Sequence, residues 1–578
     1  MKLTGLLKKL FFEIFKEEMI FMKSLPIGVD DFKKLIDKNY YYVDKTLLIK
    51  ELLDKKAEAT LFTRPRRFGK TLNMSMLQYF FEKTEEDNSY LFKGLKIMNE
   101  SKEYLDYMGK YPVINLSLKS AKQPTFEMAY KKIREAIADE FKRYSEVLNG
   151  DVLFEDEKEE FKNIMLQKAD LSTYNTSLKF LSKCLKRYYK ENVIILIDEY
   201  DVPLENAFFE GFYDEMVVFL RSLFESALKT NPSLEFAVIT GCLRISKESI
   251  FTGLNNLKIN SVLDDRYAEY FGFTDKEVIK ICNDYNMSQK YNEIKNWYNG
   301  YIFGETNVYN PWSVLQYIDD LKTNINKYPS SYWANTSSNS IVKTLIEKAD
   351  DHTKEEIESL IEGNSIEKPI HEDITYNEIY DSMDNLWNFM FFTGYLKKVS
   401  EIINSMGDKF IKLAIPNKEV NYIFRSKIEN WFKEMIKGEN LDELFEAMLQ
   451  GNEKKFEEKI IIILEKSISF NDSYENFYHG FLVGIMSTLH NYKVKSNRES
   501  GIGRGDIIIQ YLSRRGKAVI IEIKVAKDIQ ELESKCDEAL EQIEKNKYDM
   551  ELVRDGYKDI LKYGITFFKK ECMVKLKK

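Results

Sequence analysis

The chain has 578 residues, 44% hydrophobic and 31% charged, which is enough for several packed cores. No apolar run approaches the roughly 20 residues of a membrane-spanning helix, and the five cysteines have no CxxC spacing, which argues against zinc or disulfide frameworks. We therefore expect a soluble protein of a reducing cytoplasm. The first predicted element is an amphipathic helix over Leu6–Phe15. We interpret residues 1–22 as an N-terminal extension, with attachment to a membrane surface as the alternative.

A phosphate-binding loop is predicted between a short strand, Glu58–Phe62, and an amphipathic helix over residues 72–81. The pattern G-x-x-x-x-G-K-[ST] is matched in its last part, although Arg64 occupies the place of the first glycine. The matching residues are Gly69, Lys70 and Thr71. Backbone N–H groups at a helix N-terminus, a lysine and a hydroxyl are the groups that hold a triphosphate and its Mg²⁺.

An acidic motif supports this interpretation. The apolar run Val193–Ile197 is typical of a central strand that is buried on both faces of a parallel sheet. Asp198 then lies where Mg²⁺ is supported, and Glu199 where an attacking water is polarised. Two acids after an apolar strand also fit an ordinary strand-to-loop transition, but the Gly-Lys-Thr motif favours a nucleotide site.

Further strands of the same sheet are predicted at 112–117 and 235–240, with helices around 130–144 and 176–189 between them. Thr240 and Arg244 follow the last of these strands. They could lie at the edge of the sheet where a γ-phosphate is sensed, although Arg244 could equally pair with a structural carboxylate.

A second site is predicted near the C-terminus. Asp506 opens an apolar strand, and a turn leads back into a second strand over Ala518–Val525. Because side chains alternate along a strand, Glu522 and Lys524 share one face and can converge beside Asp506. Two carboxylates hold a hard cation such as Mg²⁺, and a lysine can orient water. The pattern indicates metal-dependent hydrolysis of phosphodiesters.

The charge around this second site differs from that of the whole chain. The net charge is −8, which by itself argues against binding to nucleic acid. Between Asn491 and Lys527, however, nine basic residues accompany three acids, a local charge of +6. This surface suits a phosphate backbone, with a solvated basic hairpin as the alternative. We expect nucleic-acid contacts from Arg504, Arg514 and Arg515.

Taken together, these motifs resemble the bacterial AAA-ATPase-like family whose members carry a C-terminal PD-(D/E)xK nuclease-superfamily domain. The resemblance spans nearly the whole chain. It rests on LPIG at 25–28, YVDKT at 42–46, RPRRFGKT at 64–71, DEYD at 198–201, TG at 240–241, FTGLNN at 251–256, WYNGY at 297–301 and YNPWS at 309–313. The family's own loop has the Arg-Pro-Arg-Arg form, so the resemblance counts Arg64 as part of the nucleotide site.

The resemblance implies an α/β fold class. A P-loop NTPase domain, with a parallel sheet sandwiched by helices, is expected at 23–260, followed by a helical or winged-helix region at 261–440. Linking helices at 441–466 then lead to an αβββαβ restriction-endonuclease-like domain at 467–578. In that domain, Glu475 resembles a helical carboxylate of the metal site, with a solvated acid at a helix start as the alternative. Gln542 is expected to contact nucleic acid or the catalytic water.

These expectations combine into one functional hypothesis, an ATP-binding and ATP-hydrolysing switch that controls a metal-dependent nuclease. Its cofactors are ATP and Mg²⁺, with Mn²⁺ as an alternative, and its expected partner is nucleic acid, DNA before RNA. A homo-oligomer is compatible with the sequence. One alternative is a regulatory ATP-binding protein whose nuclease-like domain binds nucleic acid or protein without cleaving. Another is a motor such as a helicase, which would need oligomerisation because only one P-loop domain is visible.

Overall fold

The computed structural model describes residues 23–243, 250–251, 255–333, 340–371, 376, 378–379, 381–404, 409–435, 441–467, 475–500, 503–513 and 516–577. The chain divides into two compact units. The first comprises Met1–Ser337 and Glu367–Glu419, and the second comprises Ser338–Ile366 and Val420–Lys578. Residues 338–366 thus belong to the second unit, although they lie within the predicted middle region.

The first unit is built on a parallel sheet with helices between its strands. In chain order its elements are α1 (Phe32–Asp37), α2 (Leu47–Lys55), β1 (Ala59–Thr63), α3 (Lys70–Phe81), α4 (Lys102–Leu105), β2 (Val113–Ser117), α5 (Phe126–Arg143), α6 (Glu155–Met165), α7 (Leu171–Tyr189), β3 (Val193–Asp198), α8 (Val202–Glu210), α9 (Tyr213–Leu228), β4 (Leu234–Gly241) and β5 (Leu257–Asn260). The strand order is β2-β3-β4-β1-β5, and all neighbouring strands are parallel. The predicted parallel sheet is confirmed.

The register of this sheet brings several loops to one edge. Thr63 at the end of β1 lies opposite Gly241 at the end of β4, and Ser117 at the end of β2 lies opposite Asp198 at the end of β3. Strands β1 and β3 are buried along their whole length, as their apolar sequences require. Because parallel strands share a direction, the segments that follow β1 to β4 gather at the same edge.

Two helices begin earlier than the sequence predicted, and a capping residue explains each case. The side chain of Thr125 accepts the N–H of Met128 at the start of α5. The side chain of Asp170 accepts the N–H of Thr173 at the start of α7. Such caps satisfy N–H groups that the first helical turn leaves unpaired, so the helices extend towards them.

The middle of the chain is mainly helical, as predicted, and the structure adds two three-stranded sheets. Its elements are β6 (Phe273–Thr274), α10 (Asp275–Asp284), α11 (Tyr291–Tyr298), β7 (Tyr301–Phe303), β8 (Thr306–Tyr309), α12 (Pro311–Thr323), α13 (Ser340–Lys348), α14 (Asp351–Ile361), β9 (Ile366–Pro369), α15 (Met383–Phe392), β10 (Lys397–Ile403), β11 (Lys409–Ala414) and α16 (Lys418–Met435). The small sheets have the orders β6-β8-β7 and β10-β11-β9. The aromatic face of α15 is buried from Leu386 to Phe392 and forms core.

The second unit contains a five-stranded mixed sheet. After α13, α14 and the greater part of α16 come α17 (Asp442–Gln450), α18 (Glu453–Ser467), α19 (Glu475–Met486), β12 (Tyr492–Ser500), β13 (Gly503–Tyr511), β14 (Ala518–Val525), α20 (Leu532–Lys545), α21 (Met550–Arg554), β15 (Ile560–Phe568) and β16 (Glu571–Lys577). The strand order is β12-β13-β14-β15-β16, in which β14 and β15 are parallel and the other pairs antiparallel. The predicted αβββαβ core is confirmed, and β16 extends it by one strand.

Helix α18 covers the outer edge of this sheet. The carboxylates of Glu457 and Glu453 accept the backbone N–H groups of Val574 and Leu576 in β16, at 2.8 and 3.0 Å. An edge strand with open N–H groups would invite pairing with another chain. The helices predicted as linkers therefore pack onto the sheet of the second unit.

Candidate functional site

The loop between β1 and α3 has the geometry of an anion-binding site. Gly69 lies at φ 84°, in the left-handed region that favours glycine, immediately before α3 begins at Lys70. No atom lies within 4 Å of a Cβ built on Gly69, so the backbone conformation and not crowding requires glycine. Because glycine has no side chain to cap α3, the first N–H groups of the helix are left for an anion.

The Lys70 ammonium is held inside this loop. Its Nζ donates to the carbonyl oxygens of Arg64 and Pro65 at 2.8 and 2.9 Å, and it lies 3.6 Å from Cys242 Sγ. Lys70 is only 7% exposed, so these contacts compensate for the lost hydration of its charge. The positive charge is thereby fixed at the cavity wall.

A cavity of about 490 Å³ opens on this loop. Its size suits a ligand of several hundred daltons. Part of its wall is polar and charged, with Arg66, Arg67, Gly69, Lys70, Thr71, Lys119, Lys122, Glu199, Asp201 and Cys242. The wall also contains apolar residues, three of them aromatic, namely Pro26, Val29, Tyr41, Val43, Phe273, Pro311, Trp312 and Leu315. The combination fits a ligand with a charged end and a flat apolar end.

The position of Arg64 corrects the prediction for its side chain. The residue is fully buried, and its Nη1 donates to the carbonyl oxygens of Thr63 and Asn260 at 3.0 and 2.9 Å. The guanidinium lies over the rings of Phe271 and Phe303. Burial lowers the pKa of Arg64 to about 9. Arg64 stabilises the loop from within, because its Nη1 donates to carbonyl groups and the residue is not part of the cavity wall.

Strand β3 delivers its two acids to the edge of the sheet where β1 ends. Asp198 is 3% exposed and accepts a hydrogen bond from the hydroxyl of Thr240 in β4. Glu199 follows at φ 55°, a strained conformation for a residue other than glycine, and lines the cavity. Burial and the neighbouring Asp198 charge raise the pKa of Glu199. A carboxylate with a raised pKa is a stronger base, as the activation of water requires.

Asp201 ties the segment after β3 to the segment after β4. Its Oδ2 accepts the N–H groups of Cys242 and Leu243 at 2.7 and 3.2 Å, and the Tyr200 hydroxyl donates to the Leu243 carbonyl at 2.6 Å. The sequence analysis gave Asp201 no role, although the DEYD motif contains it. Arg244 comes directly after Leu243 and lies outside the described residues, so its role stays a prediction.

Arg67 and Trp312 form a contact that the sequence did not indicate. Arg67 lies at φ 72°, and its guanidinium is 4.2 Å from the centre of the Trp312 ring. Trp312 lies in the first turn of α12, where the Asn310 side chain accepts the N–H groups of Trp312 and Ser313. Both partners line the cavity. Trp312 belongs to the YNPWS segment, and the part of that segment in the family resemblance was the only feature of the sequence that drew attention to it.

In the second unit, β13 and β14 bring two predicted metal ligands together. Ile507 pairs with Ile521 in this antiparallel ladder, so Asp506 and Glu522 form the next opposed pair. Asp506 Oδ2 accepts the N–H of Ile523 at 2.8 Å, and the N–H of Asp506 donates weakly to Glu522 Oε2 at 3.4 Å. The two carboxyl groups therefore occupy one small space.

The electrostatics of this pair favour a bound cation. Burial and the Asp506 charge raise the pKa of Glu522 to about 8, and burial also raises the pKa of Asp506. Lys524, whose Nζ is 3.8 Å from Glu522 Oε1, opposes both shifts. A divalent cation would relieve the desolvation and the mutual repulsion together. The donor set of two carboxylates suits Mg²⁺ or Mn²⁺.

Gln542 of α20 supports Glu522. Its Nε2 donates to Glu522 Oε1 and also to the Tyr548 hydroxyl at 3.2 Å. The Asn546 amide donates to the same hydroxyl at 2.9 Å. A donor to a carboxylate stabilises its ionised form. The structure thus gives Gln542 a contact with a candidate metal ligand, whereas the sequence analysis expected contact with nucleic acid or water.

Helix α19 carries two further residues, His479 and Glu475, that lie near the Asp506–Glu522 pair. His479 is 7% exposed, and its Nε2 lies 3.2 Å from both the Asp506 carbonyl oxygen and Ser496 Oγ. Burial lowers the pKa of His479, which keeps the ring neutral. Glu475 begins the helix, and its pKa is raised by desolvation of its carboxyl and by the Asp506 charge. Among the described residues, no three His, Cys, Asp or Glu side chains converge as a metal site.

Two family models match the segments that contain these sites. Residues 26–251 match the family described as Predicted AAA-ATPase, and residues 473–577 match the PD-(D/E)XK nuclease superfamily. The chain thus contains one segment similar to each of these families. The AAA-ATPase-like match contains the phosphate-binding loop and β1 to β4, and the nuclease-superfamily match runs from α19 to β16. The resemblance noted from the motifs is confirmed.

One curated relative is similar to half of the chain. It is named "Uncharacterized protein in vnfD 5'region" and comes from Azotobacter chroococcum mcd 1. It is 30% identical over 295 residues, which make up 51% of this chain and 51% of the relative. The chain therefore spans about half the length of the curated relative that it matches.

Arg425 of α16 approaches the nuclease-superfamily site from outside the matched segment. Its Nε donates to Asn421 Oδ1 at 2.9 Å, and the Asn421 amide donates to the Ile361 carbonyl, at the end of α14, at 2.8 Å. The charge of Arg425 acts on Asp506 and Glu475. The sequence analysis missed this residue, because only tertiary packing brings α16 near β13.

Two lysines of the predicted basic surface form ion pairs within the nuclease-like domain. Lys495 Nζ lies 3.5 Å from Glu551, and Lys517 Nζ lies 3.6 Å from Asp559. The local charge is therefore less positive than the sequence count indicates. Arg514, Arg515 and the side chain of Arg504 lie outside the described residues, so their contacts with nucleic acid stay predictions. Across the described ranges, the helices are all too short or too polar to cross a bilayer.

Proposed function

We propose that this chain is an ATP-binding and ATP-hydrolysing switch that controls a metal-dependent nuclease. The nuclease assignment depends on one observation above all, the opposed placement of Asp506 and Glu522 on β13 and β14, with Lys524 beside them. The ATP assignment is supported by the loop that ends in Gly69 and by the cavity of about 490 Å³ on which it opens. Two families in one chain support the coupling of the activities.

In the nuclease-like domain, Asp506, Glu522 and the Ile523 carbonyl hold the metal ion. Mg²⁺ or Mn²⁺, when bound there, lowers the pKa of a water and neutralises charge on the phosphate. Lys524 orients the water and stabilises the negative charge that develops on the phosphoryl oxygens. Gln542 holds Glu522 in position and favours its ionised form through its amide donor. The product is a cleaved phosphodiester, in DNA as the favoured substrate.

In the AAA-ATPase-like domain, the charged wall of the cavity binds the triphosphate and the aromatic wall binds the base. Lys70 exchanges its carbonyl partners for phosphate oxygens, and Thr71 and Asp198 support Mg²⁺. Glu199 accepts a proton from the attacking water, for which its raised pKa prepares it. Thr240 positions Asp198 through its hydroxyl.

To test the proposed nuclease activity, the purified protein is incubated with supercoiled plasmid, linear duplex DNA and RNA. Each substrate is tested with and without ATP, in Mg²⁺ and in Mn²⁺. We expect metal-dependent cleavage whose rate depends on ATP, and loss of cleavage in Asp506→Asn protein or after chelation. Retained binding without cleavage in every condition would favour the second candidate, a regulatory ATP-binding protein whose nuclease-like domain only binds nucleic acid.

A further inference from the structure

A lysine outside every motif lines the nucleotide cavity. Lys119 follows β2 closely and shares the cavity wall with Lys70 and Glu199. The preceding residue, Leu118, donates its N–H to the Asp198 carbonyl at 3.0 Å. This bond fixes the start of the loop that carries Lys119 against the end of β3. Lys119 therefore lies near the end of β3, where Glu199 follows in the same cavity wall.

Lys119 has only a weak partner there. Its Nζ lies 3.7 Å from Oδ2 of Asp30, and the two side chains are 65% and 61% exposed. An exposed ion pair of this kind contributes little to stability. Asp30 also lines the cavity, so the pair joins two parts of the cavity wall. An incoming anion could displace Asp30 at little cost.

The charge on Lys119 acts where the terminal phosphate of a nucleotide would be attacked. The charges of Lys70 and Lys119 both act on the carboxylate of Glu199. A base that activates water for phosphoryl transfer must lie beside the terminal phosphate. Apolar residues of the same wall, such as Tyr41 and Trp312, suit the base of the nucleotide.

We propose that Lys119 binds the terminal phosphate of ATP and that Asp30 holds Lys119 when that phosphate is absent. This inference rests on the proposed ATP site. It assigns to Lys119 the discrimination between ATP and ADP, because a group that contacts only the terminal phosphate contributes to the binding of ATP alone. A lysine that contacted the base, the ribose or the other phosphates would contribute equally to both nucleotides.

The chain offers two matched controls. Lys122 lies in the same segment and lines the same cavity, and its charge acts on Glu205, the partner of Arg66. Lys102 is an exposed lysine of α4 that is not part of the cavity wall. Each substitution by glutamine removes one positive charge, so differences between them report position and not net charge.

The test measures binding of a non-hydrolysable ATP analogue and of ADP to the full chain by calorimetry, with Mg²⁺. We expect Lys119→Gln to weaken binding of the analogue about tenfold while ADP binding changes by less than about twofold. Lys102→Gln should change neither affinity, and Lys122→Gln should change the two by similar factors. Asp30→Asn should strengthen binding of the analogue about twofold to threefold, because it removes the competing carboxylate.

Two results would overturn the inference while leaving the ATP site intact. One is an equal loss of both affinities in Lys119→Gln protein, and the other is no loss of either. A wild-type chain that binds neither nucleotide would instead overturn the proposed ATP function, and this inference with it. Unchanged melting temperatures are expected for both variants, because the Lys119 and Asp30 side chains are exposed.

Discussion

The nuclease-like site and the nucleotide cavity are assembled over very different distances along the chain. Asp506, Glu522 and Lys524 belong to one strand–turn–strand segment, and their proximity follows from the pairing of β13 with β14. The cavity draws its wall from residues between Pro26 and Leu315. A site within one hairpin can be derived from side-chain alternation, whereas a site at a sheet edge depends on the order of the strands.

The two sites also differ in the charge of the ligand that each one favours. At the nuclease-like site burial raises the pKa of both carboxyl groups, the Asp506 charge raises that of Glu522 further, and a cation would offset these effects. At the cavity wall, cationic side chains and the N-terminus of α3 favour an anion. Because the two sites prefer ligands of opposite charge, metal binding and phosphate binding can be measured separately in variants of one site or the other.

The largest effect is expected at Asp506. Asp506→Asn keeps an acceptor for the Ile523 N–H but removes the carboxylate charge, so cleavage should fall by about 10³-fold or more. Single-turnover cleavage in Mg²⁺ measures this, with Lys558→Gln, at an exposed lysine outside the basic segment, as a control that should retain activity. Substantial cleavage by Asp506→Asn protein would mean that the metal is held elsewhere.

The next effect concerns the nucleotide cavity alone. Lys70→Ala removes the ammonium that stabilises charge on the transferred phosphoryl group, so ATP hydrolysis should fall by roughly 10²- to 10³-fold. Phosphate release measures the rate, with Lys102→Gln as the control. Metal affinity at the nuclease-like site, followed by thermal shift with Mn²⁺, should stay unchanged. A simultaneous loss of metal affinity would break the separation between the sites.

A smaller effect is expected from Gln542→Ala, and it depends on pH. Glu522 must be ionised to hold the metal, and its pKa is raised to about 8, so activity at limiting metal should rise as pH rises through that value. Removing the amide donor destabilises the ionised form and should shift the rise upward by about one pH unit. A pH–rate profile at limiting Mn²⁺ measures the shift.

Gln450→Ala is the matched control for this variant, since Gln450 is an exposed glutamine of α17 whose amide contacts Glu446. Its profile should coincide with that of the wild type. A Gln542→Ala profile that is lower at every pH but not displaced would contradict the supporting role of the amide.

The smallest effect is expected at the contact between Arg67 and Trp312. A cation–π contact contributes about 0.5–1 kcal/mol, so Arg67→Gln should change ATP affinity by only about twofold to fivefold. Nucleotide binding should also alter tryptophan fluorescence, because both residues line the cavity. That change should be lost in Trp312→Phe protein and retained in Trp297→Phe protein. Its persistence without Trp312 would place the responding tryptophan elsewhere.

The fold was largely predictable from the sequence, and the candidate sites were predictable in part. The apolar runs at Val193–Ile197 and Ala518–Val525 indicated buried strands, and strands were found there. The position of Arg64 was misjudged because a motif gives the order of residues but not the direction of a side chain. Trp312 and Arg425 carried no local pattern that links them to either site.

By itself, the sequence determined the central strands and the close approach of Asp506 to Glu522. Side-chain periodicity and short turns suffice for those features, since each involves residues that are near in the chain. Only the tertiary structure decided that Arg64 turns inward, that Gln542 holds Glu522, and that Lys119 stands opposite Asp30. These contacts join residues that are distant in the chain, so they depend on strand order and on the packing of loops, and a local sequence pattern contains neither.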